Sequence, residues 1–349
     1  MTRFQLDKLQ YWQPPSTWQR VSSIDAHTGG EPLRIYLDGY PEIPGASISD
    51  KQRYCREHLD QLRTATVWEP RGHADMYGCI VTDATTPAAD FGVIFTHNEG
   101  YSSMCGHGII AVTTAMLETG AVPMQAPETP LLIDSPAGLI RAFARIDGGR
   151  VSSVYFHNVP SYVVELDACV EVPGLGQVRY DLAFGGAYYA YVDAAVLGVD
   201  TGSDNAAQLI ASGRAIKQAV MASRAIEHPH DSTLSFLYGT IFIDQSRDSA
   251  ADSRNVCIFA DGELDRSPTG TGVSGRAAIH HARGELGVGD SIVIESIVGS
   301  RFRTCVHQTV DYAGRVAIIP EVEGQAFLTG RHDFFIDPAD PFAHGFLIR

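Results

Sequence analysis

Lysine is almost missing from this 349-residue chain: Lys8, Lys51 and Lys217 are the only three, each beside a polar residue. None offers an inviting setting for a Schiff base, which argues against pyridoxal chemistry. The six cysteines (Cys55, Cys79, Cys105, Cys169, Cys257 and Cys305) form no Cys-x-x-Cys pair. That argues against a zinc ribbon, a cluster site or a disulfide framework, and a reducing cytoplasm is the expected compartment. No Gly-x-Gly-x-x-Gly run follows a strand and no Walker pattern occurs, so no nucleotide cofactor is expected. Positive charge is also scarce: 26 Lys and Arg against 41 Asp and Glu leave a net charge of −15. This excludes a nucleic-acid or anionic-membrane surface. Residues 1–20 lack the apolar core of a signal peptide, and no apolar run reaches transmembrane length.

What remains is globular: 44% hydrophobic and 19% charged residues with 34 Gly and 18 Pro, a loop-rich α/β or α+β composition. The length suggests two domains. Internal echoes support that division. Asp25-Ala-His-Thr-Gly29-Gly30 is answered by Asp181-Leu-Ala-Phe-Gly185-Gly186, and Ser103-Met-Cys105-Gly106-His-Gly108 by Ser267-Pro-Thr269-Gly270-Thr-Gly272. Leu131 to Gly138 pairs with Ile292 to Gly299, and Gly149-Arg150-Val151 with Gly314-Arg315-Val316. Four echoes in one order, at offsets of 156, 164, 161 and 165 residues, describe two pseudo-equivalent lobes. The first lobe is drawn at 1–170 and the second at 171–332, meeting where Val172-Pro-Gly-Leu-Gly176 breaks the pattern. The aromatic, Pro-rich tail 333–349 is read as returning to the first lobe. Central helices are expected at Gly106–Glu118 and Thr271–Arg283, with Gly120 and Gly284 as stops, and a further helix at Asn205–Ile226. Asp147-Gly148-Gly149 reads as a hairpin turn.

Two lobes related in this way bring two helix N-termini to one cleft, with Cys105 and Thr269 at matching positions. A thiol at a helix N-terminus feels the positive end of the dipole, which favours thiolate. The free N–H groups of Gly106, His107, Gly270 and Thr271 suit a carboxylate. This set fits removal of a weakly acidic α-proton from an amino acid, with Cys105 as base and oriented donors for the developing charge. Two facing cysteines could invert the centre. Thr269 is too weak an acid or base to mirror a thiolate, so one-base chemistry remains. With a leaving group on the β-carbon, α-proton loss leads to elimination, and Thr269 could hydrogen-bond the departing oxygen or order a water.

At these residues the chain resembles the proline racemase family over nearly its whole length. The match rests on Asp25 to Arg34, Glu69-Pro-Arg-Gly-His-Ala-Asp-Met-Tyr-Gly78, His97 to Gly108, Asp134-Ser-Pro-Ala-Gly138, Gly185 to Ala190 and Asp265-Arg-Ser-Pro-Thr-Gly-Thr-Gly272. The resemblance implies an α+β, diaminopimelate epimerase-like fold: two pseudo-symmetric lobes of mixed strands, each around a central helix, with the site in the cleft between them. It implies no cofactor, a small imino-acid substrate, and substrate contacts at Gly106, His107, Asp265, Gly270 and Thr271. Racemases and epimerases of the family carry cysteine at both catalytic positions; Thr269 departs from that pattern. The departure resembles the trans-3-hydroxy-L-proline dehydratase branch and implies a Δ2-pyrroline-2-carboxylate product that tautomerises to the Δ1 form. A homodimer is expected.

Other readings stand beside this one. Proline or 4-hydroxyproline racemisation would use one thiol and a water, a cysteine hydrolase would pair Cys105 with His107, and an imino-acid binding protein would not turn over. Asp265 could simply cap the turn before Ser267. His27, His73 and His97 are read as structural hydrogen-bonding residues, and the five other cysteines as packing residues. No metal site is expected. His228-Pro-His230 and His280-His281 look metal-like, but the second pair does not share a helix face.

Overall fold

A computed structural model describes residues 5–348 of the protein. Residues 1–4 of the N-terminal segment and Arg349 of the tail lie outside the described residues. The first half runs through α1 (Leu6–Gln10), β1 (Gln19–Thr28), β2 (Glu31–Asp38), α2 (Ile48–His58) and α3 (Asp60–Val67). It continues through β3 (Gly78–Thr82), β4 (Phe91–His97), β5 (Gly100–Ser102), α4 (Gly106–Glu118), β6 (Glu128–Ser135), β7 (Gly138–Asp147), β8 (Arg150–His157) and β9 (Tyr162–Val172). The second half contains β10 (Gly176–Phe184), β11 (Tyr188–Asp193), α5 (Ala194–Leu197), α6 (Ala206–Ser223), β12 (Leu237–Asp244), β13 (Ser253–Phe259) and β14 (Glu263–Leu264). It closes with α7 (Gly270–Ala282), β15 (Ser291–Glu295), β16 (Arg301–Tyr312), β17 (Arg315–Gly324) and β18 (Ala326–Ile336). Among the described residues, no helix is long and apolar enough to cross a membrane.

Local sequence explains the central elements. β7 buries Ile140, Ala142 and Ala144 and exposes Leu139, Arg141 and Arg145, the period-two pattern of a strand with one wet face. α4 is different: His107 through Ala115 are buried on every side, so this helix is core. Each fully buried Ile or Val on it stabilises by roughly 1.5–3 kcal/mol relative to exposure. α4 and α7 end alike, with left-handed Gly120 and Gly284 (φ 75° for both) just past their last turns. The β7–β8 hairpin turns on Gly148 and Gly149, both at positive φ, as the Asp-Gly-Gly signal required.

The two halves repeat one pairing scheme. β2–β3 and β4–β6 are parallel pairs in the first half, as are β11–β12 and β13–β15 in the second. The antiparallel hairpins β6–β7–β8 and β15–β16–β17 correspond likewise, and β8 pairs with β17 to join the lobes in one ladder. The last strand of each half crosses over: β9 pairs with β10, and β18 pairs with β1. The boundary at 170 therefore falls inside β9, and Val172–Gly176 is the tip of a hairpin in the second lobe's sheet. Residues 158–161 carry the chain from β8 to β9. The return to the first lobe begins with β18 at Ala326, ahead of residue 333, and the tail then lies on the first half, where Arg71 donates to the Phe342 and Ala343 carbonyls. Turn residues report where a chain reverses, but carry no mark of which sheet the next strand joins.

Candidate active site

α4 begins at Cys105, whose extended backbone (φ −146°, ψ 106°) makes it the residue that caps the helix. Its sulfur turns back to accept the Gly108 N–H at 3.3 Å. The His107 ring lies against the same sulfur, with Nδ1 at 3.3 Å. Thr28 Oγ1 donates to the His107 carbonyl at 2.8 Å and ties this first turn to the end of β1.

α7 begins at Thr269, and here the backbone is unusual: φ is 69° with ψ 102°. A β-branched residue at positive φ is strained by about 1–3 kcal/mol, and such strain concentrates at functional sites. The turn that enforces it runs from Asp265, whose Oδ1 accepts the Ser267 N–H at 2.7 Å, to Ser267 Oγ, which accepts the Thr269 N–H at 3.1 Å. The Thr269 side chain does not cap α7; its buried hydroxyl lies instead beside the Asp265 carboxylate and the Cys257 thiol. Capping the turn is thus one part of what Asp265 does, since its side chain also reaches the cavity described next.

The two N-termini touch. A Cβ added to Gly106 would lie 2.8 Å from the Gly270 Cα, and one added to Gly270 would lie 2.8 Å from the Gly106 Cα. Only glycine permits this approach. Between and beside them lies a small cavity of about 30 Å³ lined by Cys105, Gly106 and His107 from one lobe and Asp265, Thr269, Gly270 and Thr271 from the other. All seven residues singled out in the sequence therefore meet in one place. The run Gly270-Thr271-Gly272-Val273-Ser274-Gly275 has the glycine spacing of a dinucleotide loop, but it opens α7 after the 265–269 turn. Its glycines serve packing: a Cβ on Gly275 would strike the Tyr191 hydroxyl, which donates to the Gly272 carbonyl at 2.8 Å.

Residues 23–347 match the family described as proline racemase. The chain belongs to the proline racemase family. A trans-3-hydroxy-L-proline dehydratase from Colwellia psychrerythraea is 49% identical over 98% of this chain and 97% of that one. A 3-hydroxyproline 2-epimerase from Burkholderia multivorans is 45% identical over 94% of this chain and 98% of its own length. A hydroxyproline epimerase from Agrobacterium vitis, solved with bound trans-4-hydroxy-L-proline, superimposes with a TM-score of 0.87 at 34% identity, covering 95% and 96% of the two chains. The fold is the diaminopimelate epimerase-like one, with two pseudo-symmetric lobes and the cavity between them.

In this proline racemase family member, burial decides the electrostatics. It pushes the Cys105 thiol well above its ordinary range; the Gly108 N–H works against that, and the carboxylates of Asp265 and Glu31 reinforce it. The dipole argument for a thiolate is thus outweighed in the protein by itself. Burial brings His107 down to about 3, so its ring is neutral near pH 7. It raises Asp265 against the hydrogen bonds from Ser267. Glu31, fully buried, is pushed well up by burial and then by Asp265, while its Oε2 accepts the Arg266 N–H at 2.7 Å.

Sequence reasoning missed five lining residues: Tyr77, Met104, Tyr189, Tyr238 and Phe259. Tyr77, Met104 and Tyr189 sit inside motifs that were already singled out, so their signal was present. Tyr238 and Phe259 sit in none. Tyr189 exchanges a 2.8 Å hydrogen bond with Thr271 Oγ1, and Tyr77 donates to Ser102 at 2.9 Å and packs edge-on to His107. Burial pushes all three tyrosines upward, which leaves them neutral. Of the three histidines read as structural, His27 accepts the Gly30 N–H and His73 meets the Ala74 carbonyl, both local contacts, while His97 lies 3.3 Å from Glu263 of the other half. Cys55, Cys79 and Cys257 are buried, but Cys169 is exposed and Cys305 half-exposed, because both lie on strands with a wet face.

Proposed function

We propose that this protein dehydrates trans-3-hydroxy-L-proline to Δ1-pyrroline-2-carboxylate without a cofactor, with Cys105 as the base that removes the α-proton. The observation that carries the reading is the pair of equivalent helix N-termini on one cavity, one finished by a thiol and the other by an alcohol. Relatives named for this dehydration support it. The relative named an epimerase is why inversion is the reading to test against.

In this scheme the substrate carboxylate takes N–H groups from the first turns of both helices, among them those of Gly270 and Thr271. The ring ammonium faces Asp265. Its positive charge opposes both the burial and the carboxylate field that keep the Cys105 proton on, which favours thiolate once substrate is bound. Sγ then takes the α-proton, and negative charge moves onto the carboxylate, where the donors wait.

The stereochemistry of the substrate directs the next step. In the trans isomer the hydroxyl lies opposite the carboxylate and hence on the same ring face as the α-hydrogen. The leaving oxygen is therefore on the Cys105 side, away from Thr269. The thiol that has just gained the proton returns it to the departing oxygen: C–H and C–O bonds break, a C=C bond forms, water leaves and thiolate is regenerated. The enamine then tautomerises to the Δ1 imine. This assigns Thr269 a role other than the two left open by the sequence, contact with the departing oxygen or ordering a water: it leaves the far face without an acid strong enough to protonate carbon.

The test is a panel of L-proline and the cis and trans isomers of 3- and 4-hydroxyproline, scored for pyrroline formation and for optical change. Water loss is expected from trans-3-hydroxy-L-proline, with Cys105→Ser lowering it by about 10²–10⁴-fold. Turnover that survives this substitution, or equal water loss from the cis-3 isomer, would sink the scheme.

A further inference from the structure

Away from the cavity, three potential metal ligands converge on the wet face of the sheet where the lobes join. His157 on β8 stands directly opposite Glu321 on β17, in the ladder that connects the two halves. His157 Nε2 lies 3.4 Å from Glu321 Oε2. β16 runs on the other side of β17, and its register shifts between Val306 and Gln308, which makes His307 the extra residue of a bulge. Bulges re-aim side chains. This one carries the His307 ring onto His157, with centroids 4.0 Å apart and planes 22° from parallel. One ligand atom from each residue lies within 4.8 Å of the others.

We propose that His157, His307 and Glu321 form a site for one divalent transition-metal ion of the zinc or cobalt class, distinct from the cavity of Cys105. Two imidazoles and a carboxylate are an established donor set for such ions, with metal–ligand distances near 2.0–2.2 Å and a fourth position left to water. Ligand atoms of a tetrahedral site at those lengths stand roughly 3.4 Å apart, the separation already present between His157 and Glu321. Parallel rings do not aim their lone pairs at one point, so the His307 ring must turn to close the set. It is exposed and free to do so.

The surroundings contain charges of both signs. Arg141 on β7 stands opposite His157, Arg303 Nη1 lies 3.5 Å from Glu321 Oε1, and Glu323 pairs with Arg145 and Arg303. Cys305 stands opposite Glu321 on β16. Arg303 competes with the ion for Glu321, so affinity rests on the imidazoles.

An ion bound here would tie β8 of one lobe to β16 and β17 of the other. The test uses the full chain after chelator treatment, titrated with Co²⁺ and followed by its visible absorption, with Zn²⁺ as competitor. Saturation at one ion per chain is expected. His307→Ala and Glu321→Gln should each weaken it by at least about tenfold, since even a change beside a metal ligand costs that much. The thermal midpoint should rise with either ion in the native chain and not in the variants. These readouts do not depend on turnover, so they stand or fall apart from the dehydration scheme. Absence of saturable binding in the native chain, or binding undiminished in both variants, overturns the proposal.

Discussion

The N-termini of α4 and α7 occupy equivalent places in the two lobes, yet they are finished in opposite ways. Cys105 enters α4 through relaxed extended backbone and turns its sulfur onto the helix's own Gly108 N–H. Thr269 enters α7 through a strained backbone, and its hydroxyl caps nothing. One terminus is closed on itself and the other is left open by the shape of the 265–269 turn. A scaffold with near two-fold symmetry thus presents a polarised cavity, and the polarity lies in one side chain and one φ angle. Symmetric chemistry at a site like this needs matched groups on both faces; unmatched groups commit it to one face.

The most direct way to break that asymmetry is Thr269→Cys. A second thiol should raise exchange of the α-hydrogen with solvent on the opposite face by about 10²-fold or more, read as deuterium uptake with inversion by NMR. A folded variant with no such gain would show that the two positions do not address the same carbon. The contact between the termini is sharpened by comparing Gly106→Ala with Gly270→Ala. Each added Cβ meets the partner's Cα, so both should destabilise the protein by about 1–3 kcal/mol in urea unfolding and to a similar extent. Unchanged stability in either would mean the helices are not in contact.

The pH profile separates the two sides next. The base acts when deprotonated and burial raises the Cys105 thiol, so kcat/KM should climb about tenfold per pH unit and reach no plateau below about pH 8.5. His107, already neutral, contributes no limb above about pH 4. A flat profile between pH 6 and 8, in units where about 8.5 is the ordinary thiol value, would assign the proton transfer to another group. The smallest effect is expected from Thr269→Gly. It removes the strain at φ 69° but adds freedom to the unfolded chain, for a net gain below about 1 kcal/mol. A loss of stability would mean that the threonine methyl contributes more packing than the strained backbone costs.

Much of this was legible in the chain itself. Gly120 and Gly284 mark the helix ends because a left-handed residue is needed there, and α4 spans Gly106–Glu118 as read. α7 runs Gly270–Ala282, one residue earlier than expected, and α6 is shorter than expected at Ala206–Ser223. Cys105, Gly106, His107, Thr269, Gly270 and Thr271 stood out as two Gly-flanked turns and Asp265 through the family resemblance, and all seven line one cavity. The exchange of β9 and β18 was not visible, since strand partners leave no local imprint in an alternating pattern. Tyr238 and Phe259 reach the cavity only through tertiary packing. His157 and His307 meet only because a bulge in β16 re-aims one of them, and no spacing rule encodes that.

The crossover of the last strands has a mechanical consequence. Each half lends its edge to the other, so neither half alone holds a finished sheet, and a half-length copy could complete one only by trading strands with a twin. The molecule is built like such an interlocked pair made into a single chain. A clasp at either end holds the two walls of the cavity to one another.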